Sequence, residues 1–322
     1  MSGAARAQAD IAELIWGKVI LVTGKGGVGK TSVAASLGRL AAAQGRKTLV
    51  LELDAQNPSL NAVFAAKARY EPVEVQPNLF IANLDWLNAL KEWVERVIPA
   101  KRIVERILEN HIVQLFLDAT PGNREVVTLS KLVWLSGEFD LVVVDMPASG
   151  HATAMLRTPQ EVMNLFTAGP LHQRGLEAQA LLESPTTHLV LVALPEEMVV
   201  NETLETYNKV RAEVPKLKIS LLVLNRAARP SLSDDERALL ERLSAAYPSG
   251  AEGELLLAGR WEATLEAGTA SALERLGQEA PLLPLIDVPR LAPDGGPERL
   301  VRNLAAALAR SSSRALHPGG GR

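Results

Sequence analysis

The chain contains 322 residues, of which 47% are hydrophobic and 22% are charged, and its formal net charge is −3. This length suits one large α/β domain or two small ones, and the composition is typical of a globular protein. The slight negative charge argues against nonspecific attraction to nucleic acid, so we expect no direct nucleic-acid partner. Because cysteine is absent, disulfides, thiolate metal sites and cysteine nucleophiles are excluded, which agrees with a reducing environment.

The beginning of the chain lacks the pattern of a signal peptide. Residues 1–16 contain Asp10 and Glu13 and have no long apolar run. No segment approaches the ~20 consecutive apolar residues that a membrane-spanning helix needs. We therefore predict a cytoplasmic protein without a transmembrane segment, which would reach a membrane only peripherally, through a partner or a surface contact.

Short runs rich in valine, leucine and isoleucine recur along the chain, separated by longer helical patterns. Runs that are apolar on both faces are typical of central strands in a parallel sheet, and the helices between them supply the crossovers. The sequence therefore predicts an α/β fold with a doubly wound, mostly parallel sheet. The predicted strands are residues 18–22, 48–53, 141–144, 188–193 and 219–224, with a further candidate at 254–257.

Two regions interrupt this alternation with helical patterns alone. They cover about residues 85–137 and 158–183, and we interpret them as helical insertions in the sheet domain. Later in the chain, Ser233 and Glu236 form a capping box that opens a helix through residue 243. The predicted organisation is a single domain over residues 1–310 and a small, polar, glycine-rich tail over 311–322, which we expect to be disordered.

Residues 24–31, GKGGVGKT, fit the phosphate-loop pattern G-x-x-x-x-G-K-[ST] and lie between a predicted strand and an Ala/Leu-rich helix. Such a loop needs glycines because its backbone wraps the phosphates closely and directs N–H groups at them. We expect Lys30 to contact the β- and γ-phosphates as a catalytic residue and Thr31 to give its hydroxyl to Mg²⁺. The loop thus predicts a nucleoside triphosphate and Mg²⁺ as cofactors. The predicted nucleotide-binding residues are Gly24, Lys25, Gly26, Gly27, Val28, Gly29, Lys30, Thr31 and Ser32.

Two predicted strands end in acidic residues. The strand at 48–53 leads into Asp54, which we predict to be the catalytic carboxylate that orients or activates water against the γ-phosphate. Glu52 lies on the same face, either as a second acid of the site or as a satisfied structural carboxylate. The strand at 141–144 ends in Asp145, a Walker B pattern, and Asp145 is expected to hold Mg²⁺ through its water shell.

Lys25 directly follows the first glycine of the loop and resembles the signature lysine of the deviant Walker A ATPases. These include partition- and division-positioning ATPases, nitrogenase iron protein and the arsenite-pump ATPases. By that resemblance Lys25 would reach the nucleotide of the other subunit of a homodimer and act there catalytically, as an arginine finger does. The chain carries one such module, so it would have to pair with a second copy.

Residues 145–151, DMPASGH, look like the second switch of the arsenite-pump ATPases and of the related ATPases that deliver tail-anchored membrane proteins. The resemblance implies a P-loop NTPase fold and switch roles for Asp145, Pro147, Gly150 and His151. Gly150 would provide a hinge, and His151 is either a switch residue or a structural histidine.

Further segments resemble the same family, which the likeness covers over about residues 15–310. They lie at 120–125, at 194–203 and at 281–285, the last resembling a segment that closes over the base. Asn225 stands where the family carries an adenine-reading asparagine, since an amide can pair with the donor and acceptor edge of adenine. The alternative for Asn225 is a helix N-cap or a turn residue.

The sequence also departs from this family. Without cysteine, neither a thiolate metalloid site nor a C-x-x-C zinc site at the dimer interface is available, so we do not expect arsenite transport. The first switch reads Asp54-Ala55-Gln56-Asn57, where the family usually has D-P-A-H, and this is closer to the partition-type ATPases.

The function implied is an ATP-hydrolysing homodimeric switch that binds and releases a protein client, with membrane proteins among the candidates. The apolar stripe from Ile103 to Phe116 either lines a client groove or belongs to the core. A partition- or positioning-type ATPase acting as a spatial regulator or scaffold is the alternative, and a metabolic kinase or ligase is a third. Membrane positioning would use a basic amphipathic terminal helix, but the helix predicted at 298–310 has a mostly alanine apolar side, so we expect it to pack on the domain.

Overall fold

A computed structural model of the chain describes residues 11–53, 58–97, 122–292 and 294–315. Their backbone is organised around one sheet of eight strands. In chain order the strands are β1 (Val19–Gly24), β2 (Thr48–Leu53), β3 (Val73–Gln76), β4 (Leu79–Leu84), β5 (Leu141–Asp145), β6 (Thr187–Ala193), β7 (Lys218–Ala227) and β8 (Leu285–Pro289).

The strands lie in the order β3-β4-β2-β5-β1-β6-β7-β8. Every neighbouring pair is parallel except β3 and β4, which form an antiparallel hairpin at one edge. All residues of β1, β5 and β6 are buried, as expected for central strands covered on both faces. The predicted mostly parallel α/β sheet is thus confirmed.

Helices connect and cover the strands. They are α1 (Ile11–Ile15), α2 (Lys30–Ala43), α3 (Ser59–Phe64), α4 (Trp86–Val97), α5 (Asn123–Glu138), α6 (Ser149–Leu165), α7 (Pro170–Leu182), α8 (Glu197–Glu213), α9 (Asp234–Ala246), α10 (Gly250–Glu279) and α11 (Gly296–Ala315). The capping box that was predicted at Ser233 and Glu236 is present and opens α9. In the ranges described, no helix combines the length and the apolar character that crossing a bilayer would require.

The last helix packs on the domain, as its alanine-rich apolar side predicted. Val301, Leu304 and Leu308 are buried, and α11 contacts α2. The hydroxyl of Ser36 in α2 also donates a hydrogen bond to the carbonyl oxygen of Val301 at 3.0 Å. The helix continues to Ala315, so the boundary predicted at residue 311 was placed too early. Serine, arginine and alanine can all extend a helix.

Some secondary-structure predictions were wrong. The candidate strand at 254–257 lies inside α10, because a short leucine run between good helix formers cannot be assigned from its periodicity alone. The sequence analysis did not predict the hairpin of β3 and β4 or the strand β8. The first residue of β8, Leu285, is the last residue of the segment 281–285 that was expected to cover the base. The described parts of the predicted insertion at 85–137 are α4 and α5, and the stripe from Ile103 to Phe116 lies outside the described residues.

Candidate functional site

The loop between β1 and α2 lies at the carboxyl end of a central strand. A Cβ atom at Gly24 would overlap the backbone oxygen of Val192 in β6, so only glycine allows β1 and β6 to approach this closely. At the crest of the loop, Gly26 and Gly27 are exposed, whereas Val28 is buried and anchors the loop to the core. The strand–loop–helix order expected for a phosphate loop is therefore present in the structure.

The first turn of α2 is open to an anion. Gly29 precedes the helix in a left-handed conformation and, as a glycine, has no side chain to cap the N–H groups that follow. Such groups carry a partial positive charge and are suited to bind phosphate. Ser32 lies half-buried in this turn, one residue after Thr31.

Lys30 is the first residue of α2 and its side chain folds back over the loop. Its Nζ donates a hydrogen bond to the carbonyl oxygen of Lys25 at 3.2 Å. Burial lowers the pKa of Lys30 below its ordinary value, while the negative charges of Asp145 and Glu202 oppose this effect. An anionic ligand on the loop would stabilise the charged form of this partly buried ammonium group.

Thr31 and Asp145 meet across the boundary of α2 and β5. The Thr31 hydroxyl donates a hydrogen bond to Oδ2 of Asp145 at 2.5 Å. Asp145 is only 6% exposed. Burial raises the pKa of its carboxyl group to about 6; the hydrogen bond from Thr31 opposes this increase, and the negative charge of Glu52 adds to it. Within the described residues, Oδ1 of Asp145 is buried and has no hydrogen-bond partner.

This pair fits a magnesium site. A buried carboxylate oxygen without a partner is unfavourable, and a cation with its water shell would satisfy it. Nowhere in the described parts of the chain do three or more histidine, aspartate or glutamate residues form a metal cluster. Mg²⁺ does not require one, since it is usually held by one or two protein groups together with substrate phosphates and water.

Glu52 lies opposite Asp145 on the neighbouring strand β2. Its Oε1 accepts a hydrogen bond from the backbone N–H of Ser59 at 2.9 Å, and its Oε2 accepts one from that of Leu60 at 3.2 Å. Both contacts are at the beginning of α3, so Glu52 is a satisfied structural carboxylate, which was one of its two interpretations. Asp54 and residues 55–57 lie outside the described residues.

The segment predicted as the second switch joins β5 to α6. The hydroxyl of Thr23 in β1 donates a hydrogen bond to the carbonyl oxygen of Pro147 at 3.1 Å, which ties this segment to the strand that carries the loop. Gly150 lies in the first turn of α6 with open space around it, and His151 is exposed. His151 is therefore not a buried structural histidine.

Two side chains that the sequence analysis did not select complete this region. Ser149 begins α6 and is buried, and its hydroxyl donates a hydrogen bond to Oε1 of Glu202 in α8. The other oxygen of Glu202 lies 3.4 Å from Nζ of Lys25. The signals available were that Ser149 lies inside the switch motif and that Glu202 lies inside the segment at 194–203 that resembles the family.

Asn225 lies beside the loop but inside β7, so the helix N-cap interpretation is wrong. Its Nδ2 donates a hydrogen bond to the carbonyl oxygen of Val28 at 2.8 Å, and its Oδ1 accepts one from the backbone N–H of Arg226 at 3.0 Å. The amide thus supports the loop, and adenine reading by Asn225 stays a prediction.

Comparison with known proteins agrees with this geometry. Residues 17–174, which include the loop, β5 and the second switch, match a family model described as anion-transporting ATPase. The chain is 29% identical over 225 residues to ATPase BagA of Mycobacterium tuberculosis, covering 64% of this chain and 64% of that protein. It is 32% identical over 156 residues to a putative arsenical pump-driving ATPase 2 of Aquifex aeolicus, covering 46% of this chain and 52% of that protein.

A third relative is the arsenical pump-driving ATPase of Acidiphilium multivorum, which is 27% identical over 229 residues, covering 64% of this chain and 39% of that protein. The chain thus spans less than two thirds of the length of the relatives it matches. The match falls on the part of the chain that holds Lys30, Thr31 and Asp145 in one site. The family likeness that the motifs indicated is thus confirmed over residues 17–174, which match the anion-transporting ATPase family.

Proposed function

We propose that this chain is a Mg²⁺-dependent ATPase that works as a homodimeric switch, which binds and releases a protein client as ATP is bound and hydrolysed. The supporting observation is the contact of the Thr31 hydroxyl with Asp145 at 2.5 Å, beside a loop that enters α2 through Gly29, which has no side chain to cap the helix. In P-loop enzymes the loop binds the phosphates, and a hydroxyl and a carboxylate in the positions of Thr31 and Asp145 hold the metal.

The proposed roles follow from where each group lies. The N–H groups of residues 24–31 and the ammonium group of Lys30 would bind the β- and γ-phosphates. Thr31 and Asp145 would hold Mg²⁺, which when bound neutralises charge on the phosphates. Because Lys30 is partly buried, its charge would act in a region of reduced screening, where it stabilises a phosphate more effectively than a surface lysine would.

Hydrolysis would need two further groups. We propose that Asp54, which follows the carboxyl end of β2, orients or activates the attacking water. We also propose that Lys25 stabilises the charge that develops on the phosphoryl group bound by the partner protomer. The family resemblance supports this second role, and so does the half-exposed position of Lys25 at the rim of the site.

The nucleotide state would reach the rest of the molecule through the second switch. Pro147 is tied to Thr23 on the strand that carries the loop, and Ser149 begins α6. A movement of this segment on nucleotide binding would therefore rotate or shift α6, with Gly150 and His151 in its first turn. We propose that a protein client, with membrane proteins among the candidates, responds to that movement.

The partition- or positioning-type alternative has less support. A membrane-positioning ATPase would present the apolar side of a basic terminal helix, whereas α11 buries Val301, Leu304 and Leu308 against the domain. We therefore retain the client-binding switch as the proposed function.

Nucleotide binding and phosphate release by Lys30→Ala test the proposal. Removing this ammonium group should abolish ATP binding or turnover, because no other group at the start of α2 can replace its charge. Lys209→Ala is the matched control, since Lys209 is an exposed lysine paired with Glu205 on the same helix. Turnover by Lys30→Ala equal to that of the control would refute the assignment of the loop.

A further inference from the structure

Glu202 joins three parts of the candidate site through one carboxylate. Its Oε2 lies 3.4 Å from Nζ of Lys25 in the loop. Its Oε1 accepts a hydrogen bond from the hydroxyl of Ser149, which lies inside the second switch and begins α6. Glu202 itself lies in the second turn of α8. We call these two contacts the Glu202 bridge.

We propose that Glu202 is a positioning residue that holds Lys25 within its own protomer until nucleotide-driven dimer closure transfers Lys25 to the phosphates of the partner protomer. This inference rests on the proposed function, because it assigns a cis partner to a lysine that is proposed to act in trans. The Glu202 bridge would then set the ATP concentration at which the dimer closes.

The ion pair between Lys25 and Glu202 is weak enough for nucleotide phosphates to replace Glu202 as the partner of Lys25. The side chains of Lys25 and Glu202 are each 35% exposed, and ion pairs with this exposure are weak because water screens them. Nucleotide phosphates carry more negative charge than one carboxylate, so they can displace Glu202 from Lys25. Lys25, Ser149 and Glu202 also border an open groove of about 520 Å³ between α6 and α8, so the bridge can be reached from outside the protomer.

Two other acids of α8, Glu205 and Glu213, have partners of their own, and neither is paired with a loop lysine. Glu205 lies 2.7 Å from Lys209 on the same helix, and Glu213 lies 3.6 Å from Arg157 in α6. Glu205 lines the same groove as Glu202. Glu205→Gln therefore makes the same change of charge, in the same groove, without touching the bridge.

The experiment measures dimer formation by sedimentation velocity as ATPγS is added with Mg²⁺, for the full chain and for Glu202→Gln and Glu205→Gln. Glutamine keeps the shape of Glu202 and can still accept a hydrogen bond from Ser149, so the substitution removes the attraction for Lys25 without removing that hydrogen bond. We expect Glu202→Gln to lower the half-maximal ATPγS concentration by about two- to five-fold, the range for an exposed ion pair. Glu205→Gln should leave it unchanged, and both variants should have the melting temperature of the parent.

Glu202→Gln in a Lys25→Ala background separates the positioning of Lys25 from a general effect of the Glu202 charge on nucleotide binding. Without Lys25, Glu202→Gln should lose most of its effect, and a gain in dimer formation as large as that seen with Lys25 present would overturn the bridge. Equal midpoints for Glu202→Gln and Glu205→Gln would also overturn it while leaving the proposed function intact. If the unmodified chain formed no dimer with ATPγS and Mg²⁺, the dimeric switch itself would be refuted, and the bridge with it.

Discussion

The side-chain amide of Asn225 lies against the backbone of Gly29: a Cβ atom at Gly29 would stand 2.6 Å from Nδ2 of Asn225. Gly29 also has a φ of 96°, a left-handed conformation that favours glycine. Close packing and backbone geometry therefore both require glycine where the loop enters α2. Because Asn225 also donates a hydrogen bond to the Val28 carbonyl oxygen, β7 supports the shape of the loop between β1 and α2 from a distant part of the chain.

Gly29→Ala should therefore destabilise the protein and abolish nucleotide binding. The left-handed backbone alone costs an alanine about 1–2 kcal/mol, and the overlap with Asn225 adds to this. Urea unfolding and titration with a fluorescent ATP analogue would measure both effects. Gly137→Ala is the control, because Gly137 lies in α5 with open space around it and alanine there should stabilise the helix by about 0.5–1 kcal/mol. Equal unfolding free energies for Gly29→Ala and the parent would contradict the prediction.

Asp145→Asn should remove the benefit that Mg²⁺ gives to nucleotide binding. The substitution keeps the shape of the side chain but removes the charge that is proposed to hold the metal with Thr31. Binding of ATP should then be equally weak with Mg²⁺ and with EDTA, while the parent binds more tightly with Mg²⁺. A normal Mg²⁺ response in Asp145→Asn would show that this carboxylate is not part of the metal site.

The same substitution should stabilise the metal-free protein in a pH-dependent way. Burial raises the pKa of Asp145 to about 6, so the folded state disfavours the charged form that exists above this pH. The penalty is fully present above about pH 6 and disappears as the pH falls towards 4, where the group is protonated in both states. In EDTA, Asp145→Asn should therefore melt higher than the parent at pH 8, and the difference should shrink at pH 5. A difference that grows as the pH falls would contradict this.

His188 should make the protein less stable in mild acid. It is buried at the beginning of β6, where its Nδ1 lies 2.8 Å from the hydroxyl of Ser220. Burial, reinforced by the charge of Lys218 and opposed by that of Glu13, lowers the pKa of His188 below its ordinary value. The unfolded chain then binds more protons than the folded one below about pH 6.5, so stability falls as the pH decreases through this value.

His188→Asn isolates this contribution, since Asn can replace the contact of Nδ1 but does not titrate. The loss of unfolding free energy between pH 8 and pH 5.5 should be smaller in His188→Asn than in the parent. Nucleotide binding at pH 8 should be unaffected, because His188 pairs with Ile20 near the start of β1, away from the loop that follows Gly24. Parallel pH profiles for the two proteins would contradict the prediction.

The parts of the fold that could be predicted from the sequence are those with a strong local signal. The buried runs of the central strands are apolar on both faces, so they identified β1, β2, β5, β6 and β7. The short edge strand β3 is half exposed and has no such run. The segment at 254–257 has one, but its flanking residues favour a helix, and α10 results.

The candidate site also has some residues that local sequence motifs predicted and some contacts that they did not. Lys30, Thr31 and Asp145 belong to motifs in which spacing along the chain carries the information. The contacts of Glu202 with Lys25 and of Asn225 with Val28 join residues that are far apart in sequence and meet only because β1, β6 and β7 are neighbours in the sheet. No local pattern marks such contacts, so only the structure could identify them.

Lys25→Ala should separate binding from catalysis. Each protomer keeps its own loop and Lys30, so binding of ATP should stay close to that of the parent. Turnover should fall by about 10³-fold or more, the range for removal of a charge supplied in trans to a transferring phosphoryl group. Unchanged turnover at saturating ATP would contradict a catalytic role for Lys25.

The most direct test of the dimeric mechanism is phosphate release by mixtures of Lys25→Ala with Asp54→Asn. Each variant alone should be inactive, but a mixed dimer has one complete site, in which the Asp54→Asn protomer supplies Lys25 to the nucleotide of the other. With random pairing at equal amounts, half of the dimers have one active site of two, so about a quarter of the parent's turnover should return. Activity no greater than the sum of the separate variants would show that Lys25 does not act across a dimer.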